Sequence, residues 1–304
     1  MVDETVRGSM ITRLLEWAVR KISRGRRELH GQTILKVGLA IVIAFVVMTV
    51  VAVRFPAING YDPTLYREGT RLEGPTSAHW MGTDQLQRDV FSRILGGGRA
   101  SLIVAFSAVA LSMAVGSVLG WISGFTGGIL DRVLSLTMDA IYSFPSMILA
   151  IVLVAMFGAG IGPMIWAVGF VYIPTYFRVT RAEVLQVRET MYVEAARAIG
   201  VSNTRIVLRH VAPNTINAIM AVSSFNLADA ILTVAALSFL GFGLPPPAPD
   251  WGFDIQNGQK YLQSGAWWLI TFPGLMIITL SLGFGLIGEG ISDLVNPKRK
   301  RKRV

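Results

Sequence analysis

The sequence predicts an all-α membrane protein of about six transmembrane helices with both termini in the cytoplasm. Three observations predict it. First, 52% of residues are hydrophobic and only 15% charged, where a soluble domain carries about 25% charged residues; mean hydropathy is +0.53. Second, the apolar residues are bunched into runs close to the roughly 20 residues that a membrane span needs. Third, 20 of the 28 Lys and Arg fall in three stretches, 1–36, 178–209 and 298–303. With about six spans these stretches share one side, and the positive-inside rule makes that side cytoplasmic.

Taken in order, residues 1–32 form a basic cytoplasmic segment with a weak amphipathic pattern over 10–22. The first span is 33–53, with Lys36 able to snorkel at its cytoplasmic end. No small-residue cleavage site follows it, so it reads as a retained anchor rather than a secretory signal. Residues 54–98 are a polar extracytoplasmic excursion. The core unit, 99–290, holds spans at 100–123, 134–157, 161–177, 216–240 and 267–287, a charged cytoplasmic loop at 178–214 and an outer Pro/Gly-rich loop at 241–265. Residues 291–304 are a basic cytoplasmic tail, read as a topology anchor that could also bind anionic lipid.

Several spans carry marked residues. Glycines 116, 120, 124 and 128 repeat every fourth residue, which puts them on one helix face and permits close helix approach, within the chain or between subunits. Ser223, Asn226 and Asp229 form a polar stripe on an otherwise apolar helix. A carboxylate at that depth is costly and faces a polar cavity or a partner group, so this stripe is a candidate translocation path, with hydrogen bonding to a neighbouring helix as the alternative. Pro145 removes a helix hydrogen bond and predicts a kink. Asp131 and Asp139 should pair with Arg132 or another cytoplasmic base.

Composition also excludes function classes. Cysteine is absent, which removes disulfides and thiolate chemistry. His30, His79 and His210 are too scattered for a metal cluster, so no metal, catalytic residue or intramembrane enzyme is expected. Gly283, Gly285 and Gly288 match the dinucleotide spelling G-x-G-x-x-G but lack a preceding strand. No P-loop occurs, so any ATP and Mg must sit in another chain. The net charge of +9 reads as topology rather than nucleic-acid binding.

The loop from Tyr192 to Asn214 reads as helix, turn, helix. Glu194, Ala195, Ala196, Arg197 and Ala198 favour a helix, Gly200 suits its left-handed cap, Ser202 is a good N-cap for the next helix, and Pro213 stops or bends that helix. Ala195 and Ala196 leave a bare face suited to a partner's groove, with Glu194 and Arg197 beside it. A DNA-binding helix-turn-helix is excluded by the short tethers to membrane spans at both ends.

Glu194-Ala195-Ala196, Gly200 and the following His210-Val211-Ala212-Pro213 resemble the EAA loop of ATP-binding-cassette importer permeases. Leu208-Arg209-His210-x-x-Pro213-Asn214 is similar to the dipeptide/oligopeptide/nickel branch in particular. So are Gly82-Thr83-Asp84-x-x-x-Arg88-Asp89-Val90-Phe91-Ser92-Arg93, with Gln87 where Gly is usual, and Ser238-Phe239-Leu240-Gly241-x-Gly243 followed by Pro245-Pro246-Pro247 and Trp251-Gly252. Val234 stands where that branch often has Glu. The motifs keep their order along nearly the whole chain, and the long first excursion resembles the C-type subunit.

The resemblance implies a type I ABC importer permease fold. It implies a partnership with a second homologous permease in a heterodimer, two cytoplasmic ATP-binding subunits and an extracytoplasmic solute-binding protein, in the cytoplasmic membrane. Glu194, Ala195, Ala196, Arg197 and Gly200 would form the ATPase-coupling helix. Asp84, Arg88 and Asp89 would either dock the binding protein or, as the favoured role, pin an outer helix through Arg–carboxylate pairs. Cargo would be peptides, with nickel chelates or oligosaccharides as alternatives; an ion-gradient transporter would need more intramembrane charge. Trp251, Tyr261, Trp267 and Trp268 read as an interface belt.

Overall fold

A computed structural model describes residues 32–52, 54 and 61–295. The amphipathic pattern at 10–22, His30 and the basic tail at 298–303 lie outside the described residues. Ten α-helices organise the described residues: α1 (Gln32–Ala52), α2 (Val90–Thr126), α3 (Gly128–Tyr142), α4 (Ser146–Phe157), α5 (Ile161–Val187), α6 (Met191–Ala198), α7 (Asn203–Ile206), α8 (Ala212–Leu237), α9 (Trp251–Gly258) and α10 (Trp268–Val295). The described residues form no extended strand, only an isolated bridge between Thr83 and Asp89.

Among the described residues, four helical stretches are long and apolar enough to cross a membrane: α1, α2, the continuous rod Asn203–Phe242, and α10. The expected third span is not one kinked helix. It is two helices, α3 and α4, meeting at 89°, because Pro145 adopts an extended backbone (φ −56°, ψ 122°) at the start of α4. The fourth, α5, has 27 residues and reaches about 40 Å, past the expected end at 177. It falls short of the other spans in apolarity. Tyr172, Tyr176, Phe177 and Thr180 on it are buried by protein, so less of its surface needs to suit lipid.

The glycine stripe resolves as packing inside the chain. A Cβ on Gly116 would lie 2.6 Å from the Ile173 carbonyl oxygen, on Gly120 2.7 Å from Thr180 Cβ, and on Gly124 2.9 Å from Val184 Cβ. All three glycines therefore seat α2 against the length of α5. Gly128 has open space around it and begins α3 instead. Gly283 and Gly288 have the same use on α10: Ile41 of α1 packs on the first, Phe225 of α8 on the second.

Pro213 does not stop its helix. It sits in the first turn of α8, and the rod widens into a π-turn over Val207–Val211 in which the Ala212 N–H reaches back to the Val207 carbonyl. Proline lacks the N–H that would serve residue 209 and its ring crowds that carbonyl; the wider turn accommodates both. Ser202 has an extended backbone but no side-chain capping bond. The outer 241–265 segment is not a plain loop, since it contains α9 and a 3-10 turn, Gln259–Ser264.

Candidate functional site

Three places hold the residues singled out from sequence: helix α6, a cavity between the apolar helices, and a cap over the Val90 end of α2.

Helix α6 starts where the Val193 and Glu194 N–H groups donate to the Thr190 carbonyl. It ends in a Schellman motif: Gly200 N–H donates to the Arg197 carbonyl, Val201 N–H donates to Ala196, and Gly200 takes φ +80°, the left-handed conformation this ending needs. Val193 and Ala196 are buried in a cluster with Phe125, Val184, Ile206 and Val211. The expected bare face is therefore split. Ala195 and Glu194 are exposed, while Ala196 anchors the helix to its own chain. Arg197 is exposed and lays its guanidinium 4.9 Å from the centroid of the Phe125 ring. The face left free is apolar: Met191, Ala195 and Ile199, four residues apart, with Met191 84% and Ile199 80% exposed. Met191 and Ile199 were missed from sequence; their spacing around Ala195 was the available signal.

The corner between α3 and α4 opens a cavity of about 420 Å³ lined by Tyr142, Ser146, Tyr172, Thr175, Asn226 and Asp229 among others. The Tyr172 hydroxyl donates to Asp229 Oδ2 at 2.6 Å and lies 3.2 Å from Thr233 Oγ1. Asn226 is 8% exposed, and its amide nitrogen has no hydrogen-bond partner. Ser223 does not line the cavity; it is buried, accepts from the Tyr176 hydroxyl at 3.0 Å and donates to the Ile219 carbonyl at 2.8 Å. The polar stripe thus divides into one helix–helix bond and two cavity-facing residues. Tyr172 and Tyr176, one turn apart on α5, were missed from sequence because tyrosines are ordinary core residues.

Below the cavity, Asp131 receives the Arg181 guanidinium, Nε at 2.5 Å and Nη2 at 2.7 Å, and Asp139 receives Arg178 at 2.6 Å. Neither pairs with Arg132. Arg178 also stacks 3.9 Å over the Tyr142 ring centroid.

In the outer cap, Asp84, Arg88 and Asp89 are all buried. Arg88 Nε donates to Asp84 Oδ2 at 2.6 Å. Asp84 Oδ1 accepts the Leu86 and Arg88 N–H groups. Asp89 caps α2 by accepting from the Ser92 N–H at 2.7 Å, and it pairs with His79 Nδ1 at 2.9 Å. These groups are held in hydrogen bonds within the cap. Arg93, 2% exposed, ties α2 to α9 through Asp254 and to the Pro63, Pro247 and Ala248 carbonyls. Trp251 and Trp268 are not an interface belt: both are buried, with their indole N–H groups donating to the Ile94 and Thr83 carbonyls. Trp267 is 49% exposed.

Residues 116–301 match the family described as binding-protein-dependent transport system inner membrane component. The chain belongs to this family. It is 36% identical to the dipeptide transport system permease protein DppC of Alkalihalophilus pseudofirmus, over 90% of this chain and 89% of that protein. It is also 36% identical to the probable D,D-dipeptide transport system permease protein DdpC of Escherichia coli, over 86% of this chain and 87% of that one. The glutathione transport system permease protein GsiD of Pectobacterium atrosepticum is 36% identical over 86% of this chain and 88% of its own length. In fold, this permease is similar to a chain of the methionine ABC transporter MetNI in an inward-facing conformation. The TM-score is 0.55 at 19% identity, covering 67% of this chain and 96% of that one. The permease is thus a multi-pass membrane protein of the type I importer fold.

Proposed function

We propose that this chain is one membrane subunit of an ATP-driven importer of small peptides in the cytoplasmic membrane, forming half of the translocation pore. One observation carries the cargo: three relatives at 36% identity, matched along 86–90% of this chain, bear names that specify dipeptides, D,D-dipeptides or glutathione. The other half of the pore is a second, homologous permease. Two cytoplasmic subunits bind ATP and Mg and hydrolyse the ATP; this chain binds neither. A solute-binding protein brings cargo to the outer side, where 54–98 and 241–265 lie. The basic ends, 1–32 and 291–304, stay in the cytoplasm.

In this reading α6 is the coupling helix. Its free apolar face (Met191, Ala195, Ile199, with Glu194 beside it) seats in a cleft of an ATPase subunit, while Val193, Ala196 and Arg197 fasten it to α2 and α5. Closure of the ATPases pulls α6, and the differential binding of two conformations drives the pore between them. Asn226 and Asp229 line the path.

The test is reconstitution of the full transporter, followed by replacement of Gly200 with Leu. Space around Gly200 is open, but a left-handed backbone costs a non-glycine residue about 1–2 kcal/mol, which distorts the end of α6. Dipeptide uptake should fall and ATP hydrolysis should lose its stimulation by loaded binding protein, with membrane insertion unchanged. Unaltered uptake would remove α6 from the coupling role. Import of nickel chelates or oligosaccharides in place of dipeptides would overturn the cargo.

A further inference from the structure

Among the described residues lining the 420 Å³ cavity, Asp229 is the one acidic side chain, and none is Lys, Arg or His. Arg178 reaches the neighbourhood by stacking on Tyr142, but Asp139 already neutralises it at 2.6 Å. The Tyr172 hydroxyl occupies Asp229 Oδ2, and Oδ1 carries no hydrogen bond among the described residues. Asp229 is exposed and lines the cavity, whereas the Asn226 amide nitrogen beside it is inaccessible. A carboxylate within a membrane-spanning helix is costly unless a cation or a polar cavity offsets it.

Asp229 offers hydrogen-bond acceptors to the cavity. The α-amino end of a peptide offers the complementary group, an ammonium. Free amino acids and short peptides share this chemistry, whereas a blocked amine does not.

We infer that this cavity is a transit subsite for the α-ammonium end of the cargo, with the Asp229 carboxylate receiving the ammonium. The inference rests on the chain being an importer subunit and adds to that reading which end of the cargo the pore holds. Tyr172 is a positioning residue: its hydroxyl fixes one carboxylate oxygen and turns the other toward the cavity.

The absence of cysteine supplies the experiment. In the assembled transporter, Thr175→Cys puts this chain's sole thiol in the cavity lining. Its labelling by cationic and anionic methanethiosulfonates is followed by the mass of this chain. Relative to their rates with a free thiol, the cationic reagent should react at least about tenfold faster, as field focusing in a low-dielectric cleft predicts. Asp229→Asn should bring the ratio near unity, and Asp229→Glu should restore it. Alanyl-alanine should slow labelling, and N-acetyl-alanyl-alanine should not.

A ratio unchanged by Asp229→Asn, or a thiol that neither reagent reaches, overturns the subsite. Equal protection by the two peptides overturns the ammonium assignment. If the ratio and the protection behave as expected but the transporter moves no peptide, the importer reading fails while the binding chemistry stands.

Discussion

The guanidinium of Arg197 sits 4.9 Å from the centroid of the Phe125 ring, joining α6 directly to the C-terminal end of α2, a helix of 37 residues. Partly exposed cation–π pairs contribute about 0.5–1 kcal/mol. A double-mutant cycle of Arg197→Gln and Phe125→Leu, read by thermal unfolding, should return a coupling energy of that size. Coupled uptake should fall more than the unfolding temperature would suggest, because the pair positions α6. Additive effects of the two substitutions would remove the pair from the account.

The α2–α5 contact predicts a sharp contrast between glycines. Gly120→Val places branched carbons where a Cβ alone already meets Thr180 Cβ at 2.7 Å and the Phe177 carbonyl oxygen at 2.9 Å. Overpacking of this kind costs about 1–3 kcal/mol, and backbone on the far side cannot yield. Gly285 has nothing within 4 Å, so Gly285→Ala should be neutral or gain about 0.5–1 kcal/mol from helix propensity. Scanning fluorimetry of the solubilised protein distinguishes the two, and similar shifts for both would contradict the packing.

Gln87 takes φ +63° at the position where the resembling motif usually has glycine. Its backbone N–H donates to the Asp84 carbonyl and its own carbonyl accepts from Glu68, so the turn is held in place. Gln87→Gly should raise stability by roughly 1 kcal/mol by relieving the left-handed backbone. A lower unfolding temperature would mean that the Gln87 side chain contributes more than the strain it imposes.

Glu68 gives a pH dependence. Burial pushes its carboxyl above the ordinary 4.5, with Asp62 and Asp89 adding repulsion, against lowering by the Asp62 N–H and His79; Oε2 has no hydrogen-bond partner. A raised carboxylate pKa means that folding favours the protonated form. That contribution is fully present below 4.5 and is lost as pH rises through the folded value. Glu68→Gln, which keeps the oxygen that accepts from the Asp62 N–H, should therefore stabilise the protein at pH 7. The difference should close as the pH falls to 4. A difference that persists or widens at pH 4 would reverse the sign assigned to Glu68.

The parts of this architecture legible in sequence are those set by one segment at a time. Apolar runs located the spans, and Gly200 marked the end of α6 because its left-handed turn depends on neighbouring residues alone. What was hidden depends on distant partners. Nothing local to Ala196 distinguishes it from Ala195, yet one is buried against Ile206 and Val211 and the other faces solvent. Trp251 looked like an interfacial aromatic because the Ile94 carbonyl that receives its N–H is 157 residues away. Ser223 and Asp229 formed a single stripe until Tyr176 and Tyr172 of another helix gave them different partners. Pro145 announced a bend, but its 89° size follows from the chain leaving the helix altogether at that residue.

The seam of glycines between α2 and α5 has a mechanical consequence. With Gly116, Gly120 and Gly124 each seated against backbone or Cβ atoms of the facing helix, neither rod can slip along or roll over the other without a steric collision at several levels at once. The pair is keyed, like a shaft in a slotted collar. A tug on the loop that hangs from the cytoplasmic end of α5 therefore turns both helices as one lever, and the tryptophan-and-arginine cap at the far end of α2 travels with it.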